Sequence, residues 1–161
     1  MTRKRNKQRA QEIAVFADCQ NVSNLFKYRQ AVLRFVEQLG QAPFLWAYDY
    51  WRGTNSRHER QLLADRWQCI DVATQKPNAL DDQLIEDCRR LCGHPFIKVV
   101  VLIAGDKDYA SLVQWLLSQN KRVIIIGRRD NVHRRLRALV PTDIYIIEEL
   151  GSHPNQTVKA A

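Results

Sequence analysis

The stretch Ile97-Lys-Val-Val-Val-Leu-Ile-Ala104 is the most apolar run of the chain. It lacks the alternation of polar and apolar residues that a half-exposed strand shows, and such a run is typical of a central parallel strand buried on both faces. Arg122-Val-Ile-Ile-Ile-Gly127 is a second buried strand of the same kind. The centre of a parallel sheet is therefore predicted here.

Outward from this centre, strand-like segments alternate with helix-like ones. Residues 12–17 predict a first strand, which Asp18 closes, and apolar residues at helical spacing then predict a helix near 23–39 that stops at Gly40. Further strands are predicted at 44–51, 68–73 and 143–147, and further helices near 56–67, from about 81 to 92, near 108–119 and near 130–139. The alternation predicts an α/β fold: a doubly wound, mostly parallel sheet flanked by helices in three layers.

The size and composition of the chain fit one domain. Its 161 residues, of which 45% are hydrophobic, can build a single sizeable core, which we expect over residues 11–150. Residues 1–10 are predicted to be a disordered basic arm and residues 151–161 a disordered polar tail. The sequence shows neither the roughly 18 consecutive apolar residues of a membrane span nor a secretory signal. A cytoplasmic protein without a membrane partner is expected.

The four cysteines do not suggest a disulfide framework, because they fall in a predicted helix and near strand ends rather than in regularly spaced loops. Cys88 and Cys92, with His94, could supply two or three zinc ligands. No second pair completes a tetrahedral set, so reduced thiols are expected.

Positive charge is clustered at two places in a chain of formal net charge +8. Clusters of this kind favour a polyanionic partner such as a nucleic acid. Taken singly, the first cluster could be a solubilising tail and the second a solvated helix face. The clusters are Arg3, Lys4, Arg5, Lys7 and Arg9, and Arg128, Arg129, Arg134, Arg135 and Arg137.

Acidic residues stand where the apolar runs end. Asp18 follows the first strand, and Asp106 and Asp108 follow the central one, while Asp81 opens a helix. The carboxyl ends of parallel strands meet at one edge of the sheet, where open α/β folds hold their ligands. Several carboxylates there would repel one another unless a divalent cation neutralised them. In a basic protein this pattern predicts a magnesium-type site that acts on a phosphodiester.

Some of these acids also have simpler interpretations. Asp81 or Asp108 could cap a helix, which is worth about 1 kcal/mol. Asp82 replaces Asp81 if the helix register differs by one residue, and Asp87 is expected to lie off the cleft. Asn21 could fix a turn, or its amide could hold a metal-bound water or the first aspartate.

Three segments together resemble the NYN domain family within the PIN-like ribonucleases. They are Phe16-Ala-Asp18-Cys-Gln-Asn21, Lys76-Pro-Asn-Ala-Leu-Asp81-Asp82 and Ala104-Gly-Asp106-Lys-Asp108-Tyr109, and the resemblance spans residues 12–149. It implies a PIN-like fold and a metal-dependent ribonuclease that uses Mg²⁺ or Mn²⁺. The implied metal ligands are Asp18, Asp81, Asp106 and Asp108, with Asn21 paired to the first aspartate.

The chain departs from the family pattern in two respects. Ala104, Lys107 and Tyr109 stand where the family usually has Ser, Ser and Phe. The spacing from Lys76 to Asp81 is also longer than in many members. The acidic positions themselves are retained.

Basic residues in loops after strands are predicted to contact RNA, in single strands or structured loops: Lys76, Arg128 and Arg129, extended by His133, Arg134, Arg135 and Arg137 on or near the following helix. The aromatic residues Trp46, Tyr48, Tyr50 and Trp51 are expected mainly in the core. Tyr50 and Trp51, nearest the loop, are candidates for base stacking. A homodimer is compatible with the sequence.

Two further functions compete with a ribonuclease. A binding or regulatory module could keep the fold and the acids without turnover, which Lys107 between two acids favours. A small-molecule phosphohydrolase is suggested by the loose similarity of Gly105-Asp106-Lys-Asp108 to haloacid dehalogenase-like phosphatases, but Cys19-Gln20 follows Asp18 where those enzymes have a second aspartate. Dinucleotide binding is disfavoured, since no Gly-x-Gly-x-x-Gly follows the first strand.

Overall fold

The computed structural model describes residues 12–52 and 56–151. The predicted basic arm, residues 1–10, lies outside these ranges, as does the predicted tail apart from its first residue, Gly151. Both remain predictions.

Six parallel strands form one sheet, and helices connect them. The strands are β1 (Glu12–Asp18), β2 (Gln41–Asp49), β3 (Gln68–Asp71), β4 (Ile97–Ile103), β5 (Arg122–Gly127) and β6 (Ile144–Ile146). The helices are α1 (Leu25–Leu39), α2 (Ser56–Ala64), α3 (Ala79–Cys92), α4 (Ala110–Ser118), α5 (Arg134–Leu139) and α6 (Ile147–Leu150), with a 3₁₀ turn at Lys107–Tyr109 before α4. The strand order is β3-β2-β1-β4-β5-β6. The predicted fold class is confirmed.

The strand order creates a switch point between β1 and β4. From β1 the chain builds outward through β2 and β3, then returns to place β4 on the other side of β1. In the β1–β4 pair, Phe16 lies opposite Leu102 and Ala17 opposite Ile103. The connections leave the two strands in opposite directions, which opens a crevice at their carboxyl ends.

The core has two halves, one on each face of the sheet. Alternate residues of β1 point to opposite faces. Ala14 and Phe16 pack under α3, α4 and α5, whereas Val15 and Ala17 pack under α1, α2 and α6. Strands β1, β4 and β5 are buried on both faces, as their unbroken apolar runs predict.

Several element boundaries differ from the predicted ones, for local reasons. Helix α2 ends at Ala64 because the backbone turns left-handed at Arg66, with φ of 68°. Helix α5 starts at Arg134, not near 130, because Asp130 is also left-handed, with φ of 62°. Helix α6 was not predicted.

The second strand also ends earlier than predicted, and this bears on base stacking. Strand β2 stops at Asp49, yet Trp51 is only 5% exposed and its indole N–H donates to Ala47 O at 3.2 Å. Trp51 is therefore a core residue whose polar group is already used. Tyr50 is half-buried.

The four cysteines are free thiols. Cys88 and Cys92 lie in the core with their sulfurs 3.9 Å apart, whereas His94 is exposed and stacks on Phe96. Within residues 12–52 and 56–151, no helix combines the length and apolarity needed to cross a membrane.

Leu102→Ala is expected to lower the free energy of unfolding by about 2–5 kcal/mol, because Leu102 is fully buried in the central strand and its loss leaves a cavity. Urea denaturation followed by circular dichroism measures this. Leu63→Ala is the control: Leu63 is 50% exposed, and its truncation should change stability by no more than about 0.5 kcal/mol. A loss below about 1 kcal/mol for Leu102→Ala would contradict its central position.

Candidate active site

The predicted acids gather at the carboxyl edge of the sheet, at the switch point between β1 and β4. Asp18 is the last residue of β1, and Asp106 follows β4 after a short loop. Asp81 comes from the first turn of α3, whose N-terminus points to the same edge. Three separate parts of the chain therefore supply carboxylates to one place.

Three of these carboxylates form a tight cluster. One oxygen each from Asp81, Asp106 and Asp108 lies within 4.8 Å of the others. Asp81 and Asp106 are half-buried, and Asp108 is exposed. Asp106 Oδ1 also accepts a hydrogen bond from Asp108 N at 3.1 Å, so Asp106 caps the 3₁₀ turn that carries Asp108. Among the described His, Cys, Asp and Glu side chains, these three form the group that lies close enough together to share a metal ion.

Asp18 lies beside this cluster but is held by other contacts. It is 3% exposed. Its Oδ1 accepts hydrogen bonds from Gln20 N and Asn21 N, both at 3.0 Å, and its Oδ2 accepts one from the Tyr109 hydroxyl at 2.7 Å. Both carboxylate oxygens are therefore satisfied by neutral donors.

Tyr109 joins Asp18 to the cluster. Its side chain is fully buried, and its hydroxyl oxygen also lies 3.2 Å from Asp81 Oδ1. The sequence marks Tyr109 only as a departure from the family pattern, and its contact with two acids was not predicted. Its place directly after Asp108, in the segment that carries two of the acids, is the available signal.

Asn21 fastens two loops of the site together. Its backbone N–H donates to Asp18 Oδ1 at 3.0 Å, as the turn interpretation predicts. Its side-chain oxygen accepts from Gly105 N at 2.7 Å, so the contact with the first aspartate that the resemblance implies is made by the backbone. The side-chain bond ties the loop after β1 to the loop after β4. This partner was not predicted, because Asn21 and Gly105 are far apart in sequence.

Gly105 in turn locks the loop after β5 into place. Its carbonyl accepts from His133 N at 2.8 Å. A Cβ on Gly105 would lie 1.8 Å from Asn131 O, so only glycine allows this approach. The loops after β1, β4 and β5 are therefore fixed to one another.

A groove of about 410 Å³ opens beside the acids, between the loops after β4 and β5. Most of its lining residues have polar side chains, and they include Asp106 itself, so the groove and the acid cluster are continuous. The other lining residues are Asn21, Gly105, Lys107, Asp130, Asn131, Val132 and His133.

No cation among the described residues pairs with these acids. Among residues 12–52 and 56–151, none of the ion pairs includes Asp18, Asp81, Asp106 or Asp108, and Lys107 is exposed without pairing to either neighbour. Burial raises the pKa of Asp81 to about 6, and the charge on Asp18 adds to this shift. Burial also raises the pKa of Asp18, although its hydrogen bonds oppose the rise. Oxygen ligands that repel one another in this way could hold a hard divalent cation.

The lysine and arginine residues predicted to contact RNA are all exposed, but they differ in their ion pairs. Lys76 lies exposed in the loop between β3 and α3, Arg128 exposed after β5, and Arg134 exposed at the start of α5. Arg129 instead pairs with Glu149 at 3.5 Å, and its N–H donates to Glu148 at 3.1 Å.

Two other residues that the sequence singles out have structural partners. His133 caps α5, its Nδ1 accepting from Arg135 N at 3.2 Å. Asp87, expected to lie off the cleft, accepts a hydrogen bond from the Tyr48 hydroxyl at 2.8 Å.

Comparison with protein families matches the NYN domain over residues 12–147, which is most of the chain. The chain belongs to the NYN domain family. Membership in this family places it among the PIN-like nucleases and agrees with the resemblance of its acidic motifs. Among curated proteins, no sequence match was found.

The fold is shared with a solved structure. A protein of unknown function from Vibrio parahaemolyticus superposes with a TM-score of 0.70 at 19% identity, over 89% of this chain and 96% of that one. An NAD-binding oxidoreductase from Klebsiella pneumoniae aligns over 84% of this chain and 33% of that one, at 10% identity and a TM-score of 0.41. The second similarity is too weak to bear on function.

Asp81→Asn is expected to raise the melting temperature of the metal-free protein at pH 7.5. The Asp81 carboxyl has a pKa of about 6 in the folded protein against an ordinary value of 3.8, so the folded state keeps a proton that the unfolded state releases. Ionisation of Asp81 therefore lowers the free energy of unfolding as the pH rises from about 4 to about 6. Asparagine does not ionise, so the variant does not lose stability in this way. Thermal unfolding in EDTA at pH 7.5 and at pH 4.5 should show the larger gain at pH 7.5.

Asp82→Asn is the matched control, because Asp82 is exposed in the same first turn of α3. Asp82→Asn removes the same favourable interaction with the helix N-terminus. The residue lies outside the acid cluster. An equal gain for both variants, or no gain for Asp81→Asn, would show that the cluster does not strain the folded state.

Proposed function

We propose that this protein is a metal-dependent ribonuclease that hydrolyses phosphodiester bonds of RNA. The observation that carries the proposal is the convergence of Asp81, Asp106 and Asp108 within 4.8 Å, with no cation paired to them in the described ranges. The carboxylates come from the motifs of a nuclease family, at the edge of the sheet where α/β proteins hold ligands. The chain around them carries a net charge of +8.

The four aspartates would form a site for Mg²⁺ or Mn²⁺, with Asp81, Asp106 and Asp108 closest together. A divalent cation held there supplies electrophilic assistance at phosphorus and a water nucleophile near neutral pH. The choice between the two metals is open, because both take oxygen ligands.

The other residues of the site would hold it in shape and bind the strand. Asn21 and Gly105 fix the loops that carry the acids. The groove beside Asp106 would receive the RNA strand, and Lys107, exposed on its wall, would meet a phosphate. Lys76, Arg128 and Arg134 are exposed on neighbouring loops and would extend the contact, whereas Arg129 already shares its charge with Glu149. Single strands and structured loops in the cytoplasm are the substrates we propose.

A binding module without turnover is the alternative of the same fold. In the sequence Lys107 favours it, but an exposed lysine that pairs with neither neighbouring acid leaves the cluster able to bind a cation. A small-molecule phosphohydrolase is less well supported, since the groove is open and the chain is strongly basic.

Asp106→Asn is expected to lower the rate of RNA cleavage by at least about 100-fold, because it removes charge from the cation site. The assay follows a labelled single-stranded RNA with purified protein in Mn²⁺ or Mg²⁺ and in EDTA. The wild type should cleave only with metal. Asp18→Asn and Asp81→Asn should also lose cleavage.

Asp82→Asn is the control for a contaminating nuclease and for folding, since it changes an exposed acid next to Asp81. It should cleave like the wild type. Cleavage by Asp106→Asn at the wild-type rate would refute the site. Salt-sensitive RNA binding by a wild type that never cleaves would favour the binding module.

Single replacement of Lys76, Arg128 or Arg134 by alanine is expected to weaken RNA binding and reduce its salt dependence. Each lost phosphate contact should lower the slope of log K against log salt by about 0.7 for a single strand. Fluorescence anisotropy with labelled RNA over a KCl series in EDTA gives the slope without cleavage.

Arg90→Ala is the matched control. Arg90 is exposed in the last turn of α3, away from the acids, and pairs with Glu86 at 2.8 Å. Its loss should leave the slope unchanged. Equal slopes for all variants would place the RNA elsewhere on the protein.

A further inference from the structure

A second opening lies at the same edge of the sheet as the acids, between the ends of β1 and β2 and the helices α1 and α2. It is a cavity of about 190 Å³. Pockets for drug-sized ligands are larger, about 300–1,000 Å³, so this cavity suits one flat ring system rather than a whole nucleotide. Its polar lining comes mainly from the loop after β1, through Cys19, Gln20 and Ser23, and from Asp49 at the end of β2.

The order of the strands places the first aspartate between this cavity and the groove. Asp49 ends β2 and lines the cavity, Asp18 ends β1, and Asp106, after β4, lines the groove. Strand β1 lies between β2 and β4. Gln20, on the cavity wall, donates its backbone N–H to Asp18 at 3.0 Å. Neighbouring strands lie about 4.8 Å apart, so the cavity is the immediate neighbour of the acids.

The walls of the cavity can hold a flat ring. Phe26 and His58 stack on each other with their ring centroids 3.6 Å apart, and both residues line the cavity. Its buried apolar lining comes from Leu25, Trp51 and Leu62. Nucleobases stack on aromatic side chains whatever their identity, because every base has a π-face. The walls therefore favour a base without selecting one.

Two hydrogen-bond acceptors on the cavity wall can select among bases. Asp49 Oδ1 is occupied by the Tyr50 N–H at 2.7 Å and by the side-chain amide nitrogen of Gln20. Within the described ranges, neither Asp49 Oδ2 nor Gln20 Oε1 accepts a hydrogen bond. Because the Gln20 nitrogen donates to Asp49, the oxygen of that amide is the atom left for a ligand. The cavity therefore offers two neighbouring acceptors.

Of the four RNA bases, guanine matches this pair of acceptors. Its Watson–Crick edge carries two adjacent donors, N1–H and the N2 amino group, whereas the other three bases place an acceptor beside a donor. We propose that the cavity binds a guanine base of the RNA substrate, recognised by Asp49 and Gln20, and so places the phosphodiester next to that guanine at the acids. The inference rests on the proposed function, because it names a base that the proposed substrate presents there.

The test is the binding of short fluorescein-labelled RNAs to the full chain, measured by fluorescence anisotropy in EDTA so that no RNA is cleaved. One probe is oligouridylate, and the others carry a single internal guanine or a single internal inosine. Guanine should tighten binding about tenfold relative to oligouridylate, as a two-donor base contact does. Inosine keeps the purine ring and N1–H but lacks the N2 amino group, so it should tighten binding less than about threefold.

Asp49→Asn is the variant that tests the carboxylate, because asparagine keeps the shape of the side chain and one of its oxygens. That oxygen can still accept from Gln20 and Tyr50, while an amide nitrogen replaces the acceptor Oδ2. The variant should lose the guanine preference, so that the guanine probe and oligouridylate bind within about twofold of each other.

Asp71→Asn is the matched control. Asp71 ends β3 opposite Asp49 in the strand register, is half-buried like Asp49, and pairs with Arg52 at 3.4 Å. The substitution makes the same change of charge outside the cavity lining. It should leave the guanine preference at about tenfold. Circular dichroism of all variants checks that they fold.

Equal affinity of the wild type for the guanine probe and either of the other probes would overturn the inference, and so would a guanine preference that survives in Asp49→Asn. The inosine comparison needs no variant, so it decides even when Asp49→Asn does not fold. Because binding is measured without metal, a wild type that cleaves RNA but shows no guanine preference keeps the proposed function and loses only this inference. A guanine preference in a protein that never cleaves would support the cavity and refute the proposed function.

Discussion

The parallel pairing of β1 with β4 is the interaction on which the acidic site depends. These strands lie side by side at the centre of the sheet, although the chain between them builds two other strands first. Their side chains are buried on both faces, so a change of register would move whole rows of apolar residues. The register therefore fixes how far Asp18 and the Asp106 loop stand from each other.

Holding carboxylates together costs free energy, and the protein offsets part of it without cations. Asp18 is stabilised by two backbone N–H groups and one hydroxyl, and Asp106 by the N–H of Asp108. Such donors favour the charged form without filling the space where a cation would bind. Asp81, which Tyr109 reaches over the longer distance, has a pKa of about 6, and burial raises the pKa of Asp18 as well. The electrostatic cost therefore falls on both of these carboxylates.

The sequence predicts the parts of this arrangement that depend on local pattern. The unbroken apolar runs of β4 and β5 predict central strands, and an aspartate directly after such a run must lie at the sheet edge. The partners of Asn21 and Tyr109 could not be predicted in this way, because each bond joins segments brought together only by the strand order. Trp51 shows the same limit: its burial depends on the packing of α1 and α2, which the pattern of β2 does not reveal. The four acids were therefore predictable from the sequence. The hydrogen bonds that hold Asp18 beside the cluster of the other three were not.

The hydrogen bonds that join three loops through Gly105 also affect the entropy of ligand binding. Asn21, Gly105 and His133 join three loops by hydrogen bonds, and there is no room at Gly105 for even a methyl group. A rim built in this way has little conformational freedom left to lose when a ligand arrives. If RNA binds in this groove as proposed, most of the conformational adjustment falls on the RNA, so a strand that bends easily would bind at a lower cost in free energy than a stiff duplex.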